Sequence, residues 1–147
     1  MNTISGNKNP RILLVEDNPA ELRLIREIFK GFDPDCSIVS ARDGVEATDI
    51  LLRDDDTGFD IIILDLNLPR KNGLEVLSEI KQSKKASGIP VVVLSTSDSE
   101  MDILKSYELS ANCYITKPAG LDNLIDAVKG IDNFWLAFGK RADTKAQ

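Results

Sequence analysis

Two hydrophobic rhythms alternate along the chain. Short unbroken apolar runs, such as Ile12-Leu13-Leu14-Val15 and Ile61-Ile62-Ile63-Leu64, each stop abruptly at a polar or charged residue. Between them lie longer stretches in which apolar residues return every three or four positions. The first pattern predicts strands buried on both faces of a parallel sheet, and the second predicts helices covering it. Strands are expected at Arg11–Val15, Ser37–Ala41, Ile61–Leu64, residues 91–94 and Cys113–Thr116, with helices at Pro19–Phe32 and over 45–53, 74–82, 99–109 and 121–138. Asp17 or Asn18 would cap the first helix, with Pro19 at its favoured first position, and Asp98 would cap the fourth. Val45, Ile50, Leu51 and Leu52 would face the sheet from the second helix, and Leu74, Leu77 and Ile80 from the third. Asp54-Asp55-Asp56-Thr57-Gly58 is expected as a solvated turn. Residues 1–10 and 139–147 are expected as polar tails around one domain at 11–138. Strand and helix alternating with short loops predict an α/β fold, a parallel sheet with helices on both faces and right-handed crossovers.

The residues that stop the apolar runs change the picture. Glu16 and Asp17 end the first strand, Asp65 the third, Ser95-Thr96 the fourth, and Lys117-Pro118 the fifth. Open α/β sheets bind ligands at the carboxyl ends of their strands, so three acids, a hydroxyl and a lysine are delivered to the functional edge. Two like charges about 4 Å apart repel by roughly 4 kcal/mol at an effective dielectric of 20, so the acid cluster needs a cation. Oxygen ligands without His or Cys favour Mg²⁺ or Mn²⁺. A metal and a lysine beside Asp65 are also what an aspartyl-phosphate needs, with Asp65 as nucleophile. Taken singly, each residue has an ordinary role: Asp17 as a helix cap, Lys117 as surface charge, Ser95 as a turn hydroxyl. Their joint occurrence at the ends of four strands argues for a site.

Composition narrows the chemistry. None of the 147 residues is histidine, which removes Ser-His-Asp and Cys-His hydrolases and histidine-ligated zinc, and the chain cannot donate a phosphohistidine. A net charge of −6 and a pI near 4.7 argue against nucleic acid, whose phosphates need clustered Lys and Arg. No apolar run approaches the roughly 20 residues of a membrane span, and the first residues lack a signal-peptide core; cytoplasm is the expectation. Cys36 and Cys113 would lie on opposite sheet edges, roughly 19 Å apart across four strand gaps, beyond disulfide reach, so both are expected reduced.

Glu16-Asp17, Asp65 with Pro69 and Gly73 four and eight residues later, Ser95, Tyr114 and Lys117-Pro118 together resemble the receiver domain of two-component response regulators, over Arg11 to about Phe138. The resemblance implies a flavodoxin-like (βα)5 fold with strand order 2-1-3-4-5. It further implies that Asp65 accepts a phosphoryl group from a phosphohistidine on a sensor histidine kinase, catalysing only its own phosphotransfer and dephosphorylation. Asp17, Asp65 and the backbone carbonyl of Asn67 would hold Mg²⁺, with Glu16 acting through water. Ser95 and Lys117 would contact the phosphoryl oxygens, and Tyr114 would turn inward as Ser95 moves, altering the face of the fourth helix, fifth strand and fifth helix. A cis Lys117–Pro118 bond is implied as well. The segments Asp65-Leu66-Asn67-Leu68-Pro69, Leu94-Ser95-Thr96-Ser97 and Asn133-Phe134-Trp135-Leu136 are similar to those of single-domain regulators paired with phytochrome-type kinases.

Two positions depart from the family pattern. Thr96 stands where many receivers carry Ala or Gly, and Ser110 where relatives carry Gly; if Ser110 is left-handed, it costs roughly 1–2 kcal/mol. A Mg²⁺-dependent phosphohydrolase with an Asp nucleophile would want a second Asp at position 67, which is Asn67. A flavodoxin would want a glycine- and hydroxyl-rich loop in place of Glu16-Asp17-Asn18-Pro19. A phosphorelay shuttle remains open beside the stand-alone regulator, which is favoured because the nine residues after Phe138 leave no room for a DNA-binding output domain. The last helix, about 27 Å long, would overhang a strand of about 17 Å. Leu121, Leu124, Ile125, Val128 and Ile131 would face the core, and the overhang, carrying Phe134, Trp135 and Phe138, is expected to form a homodimer surface.

Overall fold

The computed structural model describes residues 10–53 and 58–146, and the side chains of these except residues 53 and 135–146. The tail expected at 1–10 and the acidic turn expected at 54–58 therefore fall largely outside the described residues. Ten elements alternate: β1 Arg11–Val15, α1 Pro19–Phe32, β2 Ser37–Ala41, α2 Gly44–Arg53, β3 Ile61–Leu64, α3 Gly73–Gln82, β4 Val91–Ser95, α4 Glu100–Glu108, β5 Cys113–Thr116 and α5 Leu121–Ala146. The strands form one parallel sheet in the order β2-β1-β3-β4-β5.

The unbroken apolar runs conceal the two-residue period of a strand. Leu13, Val15, Ile62, Leu64, Val91 and Val93 point to one face, where they meet Ala47 and Leu51 of α2 and Val76, Leu77 and Ile80 of α3. Ile12, Leu14, Ile61, Ile63, Val92 and Leu94 point to the other, against Leu22, Ile25 and Phe29 of α1 and Leu124, Val128 and Ile131 of α5. Every position of β3 and β4 is buried, as expected for strands covered on both sides. Cys36 and Cys113 are both free, Cys36 just before the edge strand β2 and Cys113 at the start of the other edge strand, β5.

Register aligns the strand ends. Val15 pairs with Leu64, so Glu16 and Asp65 leave the sheet side by side, and the Asp65 N–H donates to the Val15 carbonyl at 3.1 Å. Ser95 pairs with Thr116, which brings Lys117 next; its N–H donates to the Ser95 carbonyl at 2.6 Å.

Several local expectations are corrected. Of the two caps expected for α1, Asn18 serves, accepting from the Ala20 and Glu21 N–H groups, which leaves Asp17 free of that duty. Ser99 rather than Asp98 caps α4, accepting from the Asp102 N–H. As expected, Ile50 and Leu52 of α2 and Leu74 of α3 pack half-buried against the core, beside the fully buried Gly44, Ala47, Thr48 and Leu51 of α2 and Val76, Leu77 and Ile80 of α3; Val45 is half-buried. In α5, Leu121 is exposed rather than facing the core. No peptide bond among the described residues is cis, so Lys117–Pro118 is trans, the isomer favoured by about 0.5–1 kcal/mol. Nor does α5 end at Phe138: it runs on to Ala146. Gly139 costs a helix about 1 kcal/mol, whereas the Lys, Arg and Ala residues after it are good helix formers.

Ser110 is left-handed, with φ 75°. It ends α4, with its N–H on the Tyr107 carbonyl and the Ala111 N–H on the Ser106 carbonyl, the paired bonds of a cap that glycine suits best. Ser110→Gly should therefore stabilise the protein by about 1 kcal/mol. The check is a higher urea midpoint at unchanged denaturant slope.

Candidate functional site

The strand ends bring several of the expected side chains to one edge. One carboxylate oxygen each from Glu16, Asp17 and Asp65 lies within 4.8 Å of the others. Glu16 and Asp65 are buried and Asp17 is exposed, so the trio opens to solvent on one side. Against it sits the Lys117 ammonium, whose side chain is only 6% exposed. Its Nζ is 2.8 Å from Glu16 Oε1, 2.6 Å from Glu21 Oε1 and 3.6 Å from Asp65 Oδ2. The donor set is all oxygen and carries more negative charge than one lysine offsets, which fits a hard divalent cation.

Burial and pairing oppose one another here. Burial pushes the Glu16 carboxyl above its ordinary value, further than Lys117 draws it down. Burial also disfavours the Lys117 ammonium, but the bonds to Glu16 and Glu21 and the charges of Asp65 and Glu16 outweigh it and raise its pKa. In so tight a pair the ionised form of both partners is the consistent state, since the two bonds to Lys117 are short and charge-assisted.

The loop after β3 holds Asp65 in place. The Asn67 N–H donates to Asp65 Oδ1 at 3.1 Å, and the Asn67 amide reaches Thr96 Oγ1 at 3.4 Å. Thr96 is exposed, so the departure noted there meets the site through Asn67. Gly73 starts α3 against this loop: a Cβ there would lie 2.5 Å from Leu66 Cα and 2.6 Å from the Asp65 carbonyl oxygen. The glycine eight residues after Asp65 is thus a requirement of close backbone approach. Pro69 lies in the turn between them, its carbonyl accepting from the Lys71 N–H at 2.7 Å.

Ser95 is fully buried and its Oγ accepts from the Ser97 N–H at 3.2 Å. Tyr114 reaches the same loop, donating its hydroxyl to the Ser97 carbonyl at 2.7 Å. Ser97 Oγ donates in turn to Asp102 Oδ2 at 2.6 Å. On its other side the Tyr114 N–H donates to the Tyr107 hydroxyl at 3.0 Å, which ties the outer strand β5 to α4. Sequence reasoning brought Ser95 and Tyr114 together but missed Glu21, Ser97, Asp102 and Tyr107. Glu21 carried one usable signal, its place in the first turn of the helix that follows Glu16-Asp17.

At the far end, Phe134, expected as part of the overhanging surface, packs half-buried against the α1–α5 core layer. Trp135 and Phe138 have side chains outside the described residues. Among the described residues, the exposed large apolar side chains are Met101, Leu104 and Tyr107 on α4, Leu121 at the start of α5 and Phe32 at the end of α1.

Residues 12–129 match the family model described as the response regulator receiver domain. The response regulator Rcp1 of Synechocystis sp. is 45% identical over 139 residues, covering 90% of this chain and 95% of that one. Among solved structures, the phosphorylated cyanobacterial phytochrome response regulator RcpA superposes with a TM-score of 0.83 at 48% identity, covering 89% of this chain and 96% of that one. The Mn²⁺-bound form of Rcp1 gives 0.79 at 46% identity, over 86% and 94%.

Burial pushes the Tyr114 phenol above its ordinary value, more than its bonds to Ser97 and Ser95 lower it. The unfolded chain releases this proton first, so the folded state binds more protons above about pH 10 and stability falls as pH rises through that value. Tyr107 is the other of the two tyrosines, so ultraviolet titration of wild type against Tyr114→Phe isolates the group. The component missing in Tyr114→Phe should titrate above pH 10, and its alkaline loss of stability should shrink.

Proposed function

This chain belongs to the response regulator receiver family, signalling proteins and not metabolic enzymes, and from that premise we propose that Asp65 accepts a phosphoryl group from a phosphohistidine on a sensor histidine kinase. One observation carries the reading: three carboxylates at the ends of β1 and β3 gathered within 4.8 Å and faced by a single buried ammonium from beyond β5. In the transfer the donor's P–N bond breaks and a P–O bond forms at an Asp65 carboxylate oxygen. The imidazole nitrogen keeps the bonding electrons and takes up a proton.

A bound Mg²⁺ or Mn²⁺ supplies neutralisation of the transferred charge, and Glu16, Asp17, Asp65 and the Asn67 carbonyl are the groups that would hold it. The Mn²⁺-bound structure of Rcp1 supports a divalent cation here, and the clustered carboxylates support its position. Lys117 pairs with a phosphoryl oxygen and Ser95 bonds another, so that Tyr114 and the Ser97–Asp102 link carry the change to α4, β5 and α5. The exposed Met101, Leu104, Tyr107 and Leu121 suit that face for protein contact. RcpA, a phytochrome response regulator, supports a phytochrome-type kinase as partner. No helix among the described residues is long and apolar enough to cross a membrane, which suits the proposed cytoplasmic setting. Nucleic acid is not among the proposed partners, given the net charge of −6.

Incubation with a small phosphodonor and Mg²⁺ should add one phosphoryl group by mass spectrometry. Asp65→Asn and chelator should each abolish the addition, and Lys117→Ala should be labelled more slowly. Undiminished labelling of Asp65→Asn would falsify the assignment.

The proposal includes self-association through the overhanging end of α5, at Trp135 and Phe138 beyond the anchored Phe134. At 26 residues the helix spans about 39 Å, more than twice the length of a strand it covers. Sedimentation at tens of micromolar, corresponding to about −6 kcal/mol, should show a dimer that phosphorylation tightens. Combined Trp135→Ala and Phe138→Ala substitution should weaken it without unfolding the domain, and a monomer in both phosphorylation states would overturn it.

A further inference from the structure

Three carboxylates contend for Lys117, and they do not share it equally. The contacts to Glu21 and Glu16, at 2.6 and 2.8 Å, are short charge-assisted hydrogen bonds. The 3.6 Å separation from Asp65 Oδ2 is longer than a hydrogen bond. The ammonium is drawn toward α1 and held off the carboxylate that the proposed reaction uses.

A closed circuit of bonds fixes it there. Glu16 accepts Lys117 at Oε1 and the Asn18 N–H at Oε2, the latter at 3.1 Å. Asn18 Oδ1 accepts the Glu21 N–H at 3.1 Å, and Glu21 Oε1 returns to Lys117. The cap of α1 therefore sets where Glu21 stands. Of the two Asp65 oxygens, Oδ1 takes the Asn67 N–H, while Oδ2 faces Lys117 from beyond bonding distance. The two short partners also differ in accessibility. Glu16 is 4% exposed and Glu21 is 29% exposed at the side chain, so water can replace the ammonium at Glu21 far more cheaply than at Glu16.

We propose that Glu21 is a positioning residue for phosphoryl acceptance: it parks the Lys117 ammonium on the α1 side, leaving Asp65 Oδ2 uncovered until the phosphoryl group arrives. The inference rests on the reading of Asp65 as acceptor. An ammonium bonded to Oδ2 would tie up the lone pair that forms the new P–O bond. Once that bond exists, the added negative charge outbids the hydrated Glu21, and the lysine transfers to the phosphoryl oxygen. Glu21 thus acts through Lys117 and touches no reacting atom.

The experiment compares wild type, Glu21→Gln, Lys117→Ala and the double variant. Gln preserves the shape of Glu but cannot balance the ammonium. Labelling of Glu21→Gln by a small phosphodonor should slow roughly five- to tenfold, about 1.0–1.4 kcal/mol, since Gln keeps an acceptor and forfeits only the charge-assisted part of the bond. In the Lys117→Ala background the same substitution should change the rate less than about twofold, since the group it positions is gone. An independent readout is the ¹⁵Nζ resonance of Lys117 in metal-free protein. Asp65→Asn should shift it less when Glu21 is present, through charge alone, than in the Glu21→Gln background, where the ammonium has swung onto Asp65. A wild-type rate for Glu21→Gln, or equal slowing with and without Lys117, overturns the proposal. An unlabelled wild type would overturn the acceptor reading instead, and the lysine resonance would still decide whether Glu21 holds the ammonium.

Discussion

One ammonium placed among carboxylates is the constraint on which this edge of the molecule depends. Glu16 is almost wholly buried, and a buried charge without a partner costs far more than its pair returns. Lys117 is that partner, yet it comes from beyond β5, with β4 lying between β5 and β3. Only a long side chain bridges such a gap. The strand passed over ends in Ser95, a small residue buried completely, whose carbonyl also receives the Lys117 N–H. The lysine, the serine and the acids are therefore one structural unit before any phosphoryl group is considered.

The sheet makes that unit possible by finishing its strands together. β1 and β3 each end on an apolar residue in register, Val15 opposite Leu64, so the next residues leave the hydrophobic layer at the same height. A one-residue slip would send each side chain to the opposite face of the sheet. Because β1 and β3 are buried on both faces, such a slip would still leave an apolar run inside. The backbone bonds at the strand ends fix the register where the pattern alone does not: Glu16 N–H to Ala41, Asp65 N–H to Val15 and Lys117 N–H to Ser95.

Much of this was legible in the residues because it is local or periodic. Unbroken apolar runs named four strand ends, and the residues that close them are the ones now found together. Strand order came from the family resemblance, since periodicity holds no record of which strands are neighbours. Three kinds of feature escaped. Glu21 looks like any acid in a first helical turn, and only the tertiary path of Lys117 gives it a partner. Leu121 keeps the helical spacing of a core residue, yet it stands exposed in the first turn of α5, which spacing alone does not reveal. The run of α5 past Gly139 was hidden because polar residues with good helix propensity resemble a solvated tail. Asn18 shows the opposite case: once its side chain is seen capping α1, Asp17 has no competing structural duty.

The bond between the Tyr107 hydroxyl and the Tyr114 N–H has a consequence for the solution behaviour of the fold. β5 is an outer strand, and outer strands offer unpaired backbone groups to any passing chain. Here a helix side chain occupies one of those donors, acting as a removable guard. Whatever draws α4 away from β5 also uncovers a site where another strand can add. One hydroxyl thus joins the packing of α4 to the protection of a sheet edge, and a change that loosens α4 weakens both.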